Sequence, residues 1–228
     1  MILERLRAIG GGIYAVGHRA LDTAEHGLPQ HRERVFIIGI RRRNSHRKGR
    51  PEFRWPRPVA CRPLARLLDP LLVGSDVREA ERNFLATCSP GQKKRLWQAF
   101  VQVEAAGLDR HCDEVVVVVD VDGAKTRWTC DISPCLTRTR AASGFYLPPR
   151  GRRVTLAERF RLQGIPLRVL RCREGISDRQ LGMMAGNALS VNVLERRLVR
   201  MLRACGLRRR LKDRWQHRQR IKTTRACT

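Results

Sequence analysis

The spacing of apolar residues predicts short helices and strands that alternate along the chain. The first helix should end at the three glycines 10–12, and one of its sides carries Ile2, Leu3, Leu6 and Ile9. Two extended segments follow, at about 13–21 and 34–40, with a polar loop between them. This order predicts an antiparallel pair of strands near the start of the chain.

Three further helices are marked by a serine or threonine that precedes a glutamine or glutamate by three residues. These pairs are Ser89 with Gln92, Thr155 with Glu158, and Ser177 with Gln180. Glycines at 107 and 164 are expected to end the first two helices. Helical spacing predicts that the helix after Ser89 turns Leu96, Trp97, Phe100 and Val103 toward a core. A last helix should follow Gly186 and reach Gly206, with one face formed by Val191, Leu194, Leu198, Met201, Leu202 and Cys205.

A continuous apolar run predicts a buried strand over residues 114–121. The Asp122-Gly123 pair is a hairpin signal and leads to a second strand through Trp128 and Cys130. The longest apolar run, residues 115–119, is far too short to cross a bilayer, so we expect no membrane partner.

The charge of the chain indicates a polyanionic partner. The 228 residues contain 47 Lys and Arg against 21 Asp and Glu, a formal net charge of +26, while 42% apolar residues suffice for a core. Neutralising phosphates releases counterions, which attracts a basic protein to nucleic acid. A basic protein of the ribosomal or chromatin-binding type would have the same composition.

The cysteines do not predict a metal site. None of the eight forms a Cys-x-x-Cys pair, and no histidines stand at zinc-finger spacing. The first residues lack the apolar core of a signal peptide. We therefore expect an intracellular protein with free thiols and no structural metal.

The polar run 30–34 before the second strand carries two arginines, Arg32 and Arg34, that could grip a phosphate or a polar base edge. The guanidinium group suits this task because it stays charged and can donate two parallel hydrogen bonds. The alternative is a solvated strand edge with ion pairs to Glu33 or Glu25. The glycines 10–12 are not a nucleotide loop, because such a loop runs from a strand into a helix.

Three segments resemble the C5 cytosine-specific DNA methyltransferase family, in the family's order. Residues 27–39 read GLPQHRERVFIIG and are similar to its Pro-Gln-x-Arg-x-Arg motif. Residues 153–166, RVTLAERFRLQGIP, are similar to the motif that follows. Residues 184–191, MAGNALSV, are similar to the final Gln-x-Gly-Asn-x-Val motif. The resemblance covers about residues 13–42 and 132–204.

This resemblance implies an α/β fold, an incomplete Rossmann-like methyltransferase domain with a small mixed α+β target-recognition domain. Residues 1–42 would be edge strands of the catalytic domain and 43–150 the DNA-binding recognition domain. Residues 151–206 would return to the catalytic domain. We expect the basic tail, 207–228, to be frayed or disordered.

The resemblance also implies roles for single residues. Arg34 would bind the polar edge of a flipped cytosine, and Arg32 would brace the loop or bind a phosphate. Gly186, Asn187 and Ala188 would line the pocket of the cofactor S-adenosylmethionine; Gly-Asn is also a common end of a helix. The candidate contacts to DNA are Arg54, Trp55, Arg57, Arg138 and Arg140.

The family's nucleophilic Pro-Cys-Gln, its Glu-Asn-Val and its Phe-x-Gly-x-Gly motifs do not occur in this sequence. Cys135 follows a proline but comes after the arginine motif, so we do not expect it to be the nucleophile. We expect the chain to be inactive alone: a fragment, a truncated gene product or one half of a split enzyme whose second chain carries these motifs. The alternative is a non-catalytic DNA- or RNA-binding remnant. A polybasic tail would suit nuclear import in a eukaryote.

Overall fold

The computed structural model describes residues 1–42, 52–70, 76–170, 175–208 and 210–216. The helices are α1 (Ile2–Ala8), α2 (Val77–Thr87), α3 (Pro90–Ala105), α4 (Arg138–Ser143), α5 (Leu156–Leu162), α6 (Asp178–Asn187) and α7 (Val191–Ala204). The strands are β1 (Tyr14–Asp22), β2 (Glu33–Arg41), β3 (Val117–Val119), β4 (Trp128–Cys130), β5 (Tyr146–Leu147) and β6 (Arg152–Arg153). Short 3-10 turns lie at Ile9–Gly11, Leu64–Leu67, Pro148–Arg150 and Leu167–Val169. The described residues thus form a mixed α/β fold.

The predicted antiparallel pair of strands is confirmed. β1 and β2 pair from Tyr14 opposite Arg41 to Asp22 opposite Glu33. Alternate residues of β2, namely Phe36, Ile38 and Ile40, are buried beneath α7, where they pack against Val193 and Ala204. The opposite face exposes Val35 and Ile37, at 67% and 42%.

The second sheet has four antiparallel strands in the order β4-β3-β5-β6. The predicted hairpin between β3 and β4 is confirmed, but β3 is three residues long, since its partner strands β4 and β5 have only three and two residues. Val116 and Val118 face one apolar cluster, while Val117 and Val119 face another. Apolar residues therefore follow one another without polar alternation, as expected for a strand buried on both faces.

The apolar cluster on one face of this sheet contains residues from distant parts of the chain. Its buried members are Leu28, Leu64, Leu67, Leu68, Val116, Val118, Leu136, Ala141, Phe145, Leu147, Val154, Leu162 and Trp215. Trp215 is only 8% exposed. The expected disorder of the tail is therefore wrong for the residues around Trp215, because a tryptophan in a basic segment gives no local signal of where its ring packs. Residues 217–228 of the tail and 43–51 of the basic segment lie outside the described residues.

Helix α3 covers the other face of the sheet. The predicted capping box at its start is confirmed: Ser89 accepts a hydrogen bond from the amide of Gln92, whose side chain accepts one from the amide of Ser89. Leu96, Phe100 and Val103 are buried as predicted. Trp97 is 65% exposed, so the inward prediction is wrong for this residue. Its position lies about 100° around the helix from that of Leu96.

The carboxylate of Asp122, in the β3–β4 connection, joins three elements. It accepts two hydrogen bonds from Arg153 on β6 and one each from Ser143 on α4 and Gln92 on α3. Burial alone would raise its pKa, but the hydrogen bonds from Arg153, Ser143 and Gln92 outweigh burial and lower the pKa to about 2.

The boxes at the starts of α5 and α6 are also confirmed. Helix α6 packs very closely against α4 through two glycines, Gly182 and Gly186. A Cβ atom on Gly182 would overlap the carbonyl oxygen of Ala141, and one on Gly186 would lie 2.5 Å from the carbonyl oxygen of Thr137. Backbone packing at this distance requires glycine at both positions.

Gly182→Ala should lower the free energy of unfolding by about 2 kcal/mol, because the added methyl group forces α4 and α6 apart. Gly91→Ala is the matched control: Gly91 lies in the first turn of α3 and its Cβ would meet only the Arg95 side chain, at 3.5 Å. That substitution should be neutral or slightly stabilising. Urea denaturation measures both, and equal effects would contradict the packing argument.

Candidate functional site

The loop between β1 and β2 is held closed by Asp22. Its Oδ1 accepts hydrogen bonds from the backbone amides of Arg32 and Ala24, at 2.8 and 3.1 Å, and its Oδ2 lies 3.1 Å from Nδ1 of His31. Burial of the Asp22 carboxyl would raise its pKa, but these hydrogen bonds outweigh burial and lower it. These contacts therefore fix the positions of Arg32 and Arg34 at the start of β2.

Arg32 is buried, at 4% exposure, and its guanidinium group binds the protein's own backbone. Nη1 donates to the carbonyl oxygen of Leu136 at 2.8 Å. Nη2 donates to the carbonyl oxygens of Gly186 and Ala188, at 3.0 and 2.8 Å. Burial, followed by the charge of Arg34, lowers the pKa of Arg32. Of the two roles expected for Arg32, this geometry supports bracing, because Nη1 and Nη2 already have protein acceptors.

Arg34 lies beside this cluster but is exposed. Its Nη1 donates to the carbonyl oxygen of Glu33 at 2.7 Å, and its Nη2 lies 3.8 Å from Sγ of Cys135. The same sulfur lies 3.7 Å from Nη1 of Arg32. Among the described residues, no carboxylate is recorded within ion-pair distance of Arg34. Its charge is thus open to solvent next to Cys135.

The three residues of the final motif close the site at the end of α6. Gly186 is buried against the backbone of Thr137. Asn187, the last residue of α6, is exposed, and Ala188 is half-buried. The close approach that Gly186 permits is therefore to the protein backbone, whereas Asn187 and Ala188 present the surface beside Arg32.

The candidate DNA contacts do not form one cluster with Arg34. Arg138 is exposed at the start of α4, with its Cα 2.8 Å from the position of a Cβ on Gly186, so it borders the site. Arg140 is half-buried and its Nε donates to Asp120 at 3.0 Å.

Trp55 lies at the other end of the hairpin. It packs edge-to-face against Phe53, with ring centroids 5.1 Å apart, and lines a cavity of about 780 Å³ together with Tyr14 and Ile40. Arg54 and Arg57 beside it are exposed. The contacts of these residues with DNA remain predictions, and the cavity is remote from Arg34.

A buried chain of hydrogen bonds, which the sequence did not predict, joins the three motif segments. Thr23 donates to Ser190 at 2.8 Å, and Ser190 donates to Gln163 at 3.0 Å. The amide of Gln163 donates to the side chain of Gln30 at 3.2 Å. Three of these four residues lie inside the quoted motifs, so the resemblance was the signal that pointed to them.

Comparisons with known proteins agree with these motifs. The family of C-5 cytosine-specific DNA methylases matches residues 1–203 of the chain. The type II methyltransferase M.NgoBI of Neisseria gonorrhoeae is 28% identical over 198 residues, which cover 86% of this chain and 52% of that protein. The chain therefore belongs to the C-5 cytosine-specific DNA methylase family.

A solved methyltransferase structure is also similar to this chain. It is EhMeth of Entamoeba histolytica, with 12% sequence identity and a TM-score of 0.44 over 84% of this chain and 53% of that one. The chain thus spans about half the length of both proteins. In the described ranges, no helix is long and apolar enough to cross a membrane. No group of three potential metal ligands occurs in the same ranges.

Arg32→Met should lower the free energy of unfolding by roughly 3 kcal/mol, because three backbone carbonyl groups lose their donors in a buried site. Arg34→Met removes the same charge from an exposed position and should change stability by less than about 0.5 kcal/mol. Chemical denaturation of the two variants measures the contrast. Equal losses, or a larger loss for Arg34→Met, would contradict the bracing role of Arg32.

Proposed function

We propose that this chain is the C-terminal part of a DNA (cytosine-5)-methyltransferase. The complete enzyme would transfer a methyl group from S-adenosylmethionine to C5 of a cytosine flipped out of the duplex. The observation that carries the proposal is the exposed guanidinium of Arg34 beside the buried guanidinium of Arg32. We call the hydrogen bonds of Arg32 to backbone carbonyls at the end of α6 the clamp of Arg32. A Rossmann-like arrangement of the complete catalytic domain belongs to the same proposal.

Arg34 suits the recognition of a flipped cytosine. The oxygen and ring nitrogen on the polar edge of cytosine accept hydrogen bonds, and a guanidinium group can donate two in parallel. Removing the base from the stack costs a few kcal/mol, which contacts to the extruded base must offset. Nη1 of Arg34 donates one hydrogen bond to the carbonyl oxygen of Glu33, but Arg34 is exposed and its remaining Nη hydrogens are available for such contacts. Both Nη atoms of Arg32 are instead buried against backbone carbonyls.

The end of α6 is suited to one wall of the cofactor pocket. The space at Gly186 is filled by the backbone of Thr137, so Gly186 shapes the wall without lining it. The side chain of Asn187 and the backbone of Ala188 are the groups that would hold the cofactor. S-adenosylmethionine would supply the methyl group. The buried bond from Arg32 to the carbonyl oxygen of Ala188 would keep this wall in register with Arg34.

The rest of the catalytic site would come from another segment. The family motifs that supply the nucleophilic cysteine, the acid and the glycine-rich cofactor turn do not occur in the 228 residues. The hairpin offers a surface for that segment, because Val35 and Ile37 are exposed and, among the described residues, the sheet of the hairpin consists of β1 and β2. A two-stranded sheet alone is marginally stable in water and gains from further strands.

The alternative is a DNA- or RNA-binding protein without catalytic function. The net charge of +26 favours nucleic-acid binding under both hypotheses. The two hypotheses differ in their need for Arg34. A binder would use it as one positive charge among many, whereas the enzyme requires it at the reacting base.

The isolated chain should transfer no methyl group from labelled S-adenosylmethionine to DNA, because the family's nucleophilic Pro-Cys-Gln motif does not occur in it. When a family segment that carries Pro-Cys-Gln and Glu-Asn-Val is supplied, transfer should appear. Arg34→Ala should then reduce transfer about 100-fold, the loss expected for a charge-assisted hydrogen bond in the transition state.

Arg82→Ala, which removes an exposed arginine from α2, is the charge-matched control and should keep transfer within about twofold. Equal effects of Arg34→Ala and Arg82→Ala on transfer would contradict the role of Arg34 at the reacting base, and no transfer after the segment is supplied would favour the non-catalytic alternative. Transfer by the isolated chain would refute the division of the site between two segments.

DNA affinity should fall steeply with added salt, since each neutralised phosphate contributes about −0.9 to the slope of log K against log salt concentration. Ending the chain after Gln216 removes Arg218, Arg220, Lys222 and Arg225. This truncation should weaken binding to all sequences alike and reduce the slope by up to about 4. A flat salt dependence of the full chain would contradict both hypotheses.

A further inference from the structure

The segment Asp213–Trp215 lies beyond the part of the chain that matches the family, which ends at residue 203. It nevertheless folds back onto the loop that carries Gln30 and Arg32. Trp215 is 8% exposed and belongs to the cluster of apolar side chains that contains Leu28. We call residues 213–215 the C-terminal latch.

The first contact of the latch is with a fully buried arginine. Arg196, on α7, has no exposed surface, and its Nε donates to Oδ2 of Asp213 at 2.9 Å. The Asp213 side chain is itself 7% exposed. A charge taken out of water requires a partner, and Asp213 is the carboxylate recorded against Arg196 in the described part of the chain.

Arg196 also contacts the β1–β2 loop. Its Nη1 lies 2.6 Å from Nδ1 of His26, which is 1% exposed. Burial, followed by the charge of Arg196, lowers the pKa of His26 to about 4, so the imidazole is neutral and Nδ1 accepts the hydrogen bond. The carbonyl oxygens of His26 and Thr23 accept from the side chain of Asn192, the fourth residue before Arg196 on α7.

The second contact is the indole ring of Trp215. A Cβ atom on Gly27 would lie 3.6 Å from the ring, and one on Gly164 would lie 3.3 Å from it. The indole nitrogen donates to Glu195 at 2.7 Å, and Arg214 donates two hydrogen bonds to the same carboxylate. The ring thus lies between the loop at Gly27 and the end of α5 at Gly164.

We propose that the C-terminal latch is a positioning element for the base-binding arginine. Asp213 and Trp215 fix His26 and Gly27, and the short loop from there to β2 fixes Arg32 and therefore Arg34. The residues of the latch touch neither substrate nor cofactor and act through the loop. The expected effect on methyl transfer rests on the proposed function, whereas the expected effect on the loop does not.

Hydrogen–deuterium exchange of the chain tests the latch without any enzymatic assay. The amides of Thr23, His26 and Arg32 are hydrogen-bonded within the loop or to Asp22, so they report its opening. Asp213→Asn should speed their exchange at least tenfold. Lys212→Ala, at the exposed neighbouring position, should leave it unchanged. Exchange in α3, whose buried side chains belong to a separate apolar cluster, should not change in either variant.

Two truncations separate the latch from the charge of the tail. A chain that ends at residue 216 keeps the latch and should retain the slow exchange of the loop, whereas one that ends at residue 210 should lose it. If the shorter chain fails to fold, the loop exchange of Asp213→Asn and of the milder Trp215→Phe tests the proposal instead. Trp215→Phe keeps an aromatic ring and should retain most of the protection. Unchanged loop exchange in Asp213→Asn, or faster exchange everywhere including α3, would overturn the proposal.

In the completed enzyme, Asp213→Asn should lower kcat at least tenfold and leave KM for DNA within about twofold, with Trp215→Phe close to the unaltered enzyme. A role in DNA binding would instead raise KM. If the loop opens as expected but the unaltered complete protein transfers no methyl group, the latch stands and the proposed function fails. If transfer occurs and Asp213→Asn leaves kcat unchanged, the positioning role fails alone.

Discussion

The rest of the site depends on one interaction, the hydrogen bonds from the buried guanidinium of Arg32 to three backbone carbonyls. Those of Gly186 and Ala188 lie at the C-terminal end of α6, where carbonyl groups lack partners within the helix. The positive charge of Arg32 also interacts favourably with the negative end of the α6 helix dipole. The third carbonyl, that of Leu136, leads into α4. One side chain therefore ties the hairpin to two helices that are far apart in sequence.

The other features of the site make this clamp possible. Gly182 and Gly186 allow α6 to lie against the backbone of α4, so that the three carbonyls reach one guanidinium group. Asp22 fixes the backbone of Arg32 from the opposite side. The separation of roles between the two arginines follows, because the buried one satisfies backbone groups and Arg34, two residues on, keeps its charge exposed. In the proposed enzyme, the first would hold the site together and the second would bind the base.

Local signals in the sequence predicted the helices α1, α3, α5, α6 and α7 and the strands β1 to β4, but not α2, α4, β5 or β6. The capping boxes at Ser89, Thr155 and Ser177 depend on residues three apart, and all three start helices as predicted. The hairpin was predictable for the same reason, since its loop and alternation are local. The motif resemblance identified the segments that carry the site, but it did not predict the hydrogen bonds of Arg32 to the carbonyl oxygens of Gly186 and Ala188.

Contacts over long sequence distances were not predictable from one sequence. Arg196 and Trp215 are buried by contacts with distant segments, and no local pattern around either residue predicts these contacts. The β3 strand was predicted over residues 114–121 and is too long in that prediction, because an apolar run predicts burial, which holds for 116–121, but not where the neighbouring strands stop. The inward prediction for Trp97 was also wrong, since helical spacing alone does not separate a residue within the buried face of α3 from one at the edge of that face.

A crystal structure of the completed enzyme on a DNA duplex with an extruded cytosine tests the central claim most directly. The account predicts that the guanidinium of Arg32 remains within hydrogen-bond distance of the carbonyl oxygens of Leu136, Gly186 and Ala188. It also predicts that Arg34 donates to the extruded base. A structure in which Arg32 leaves these carbonyls to bind a phosphate, or in which Arg34 points away from the base, would contradict it.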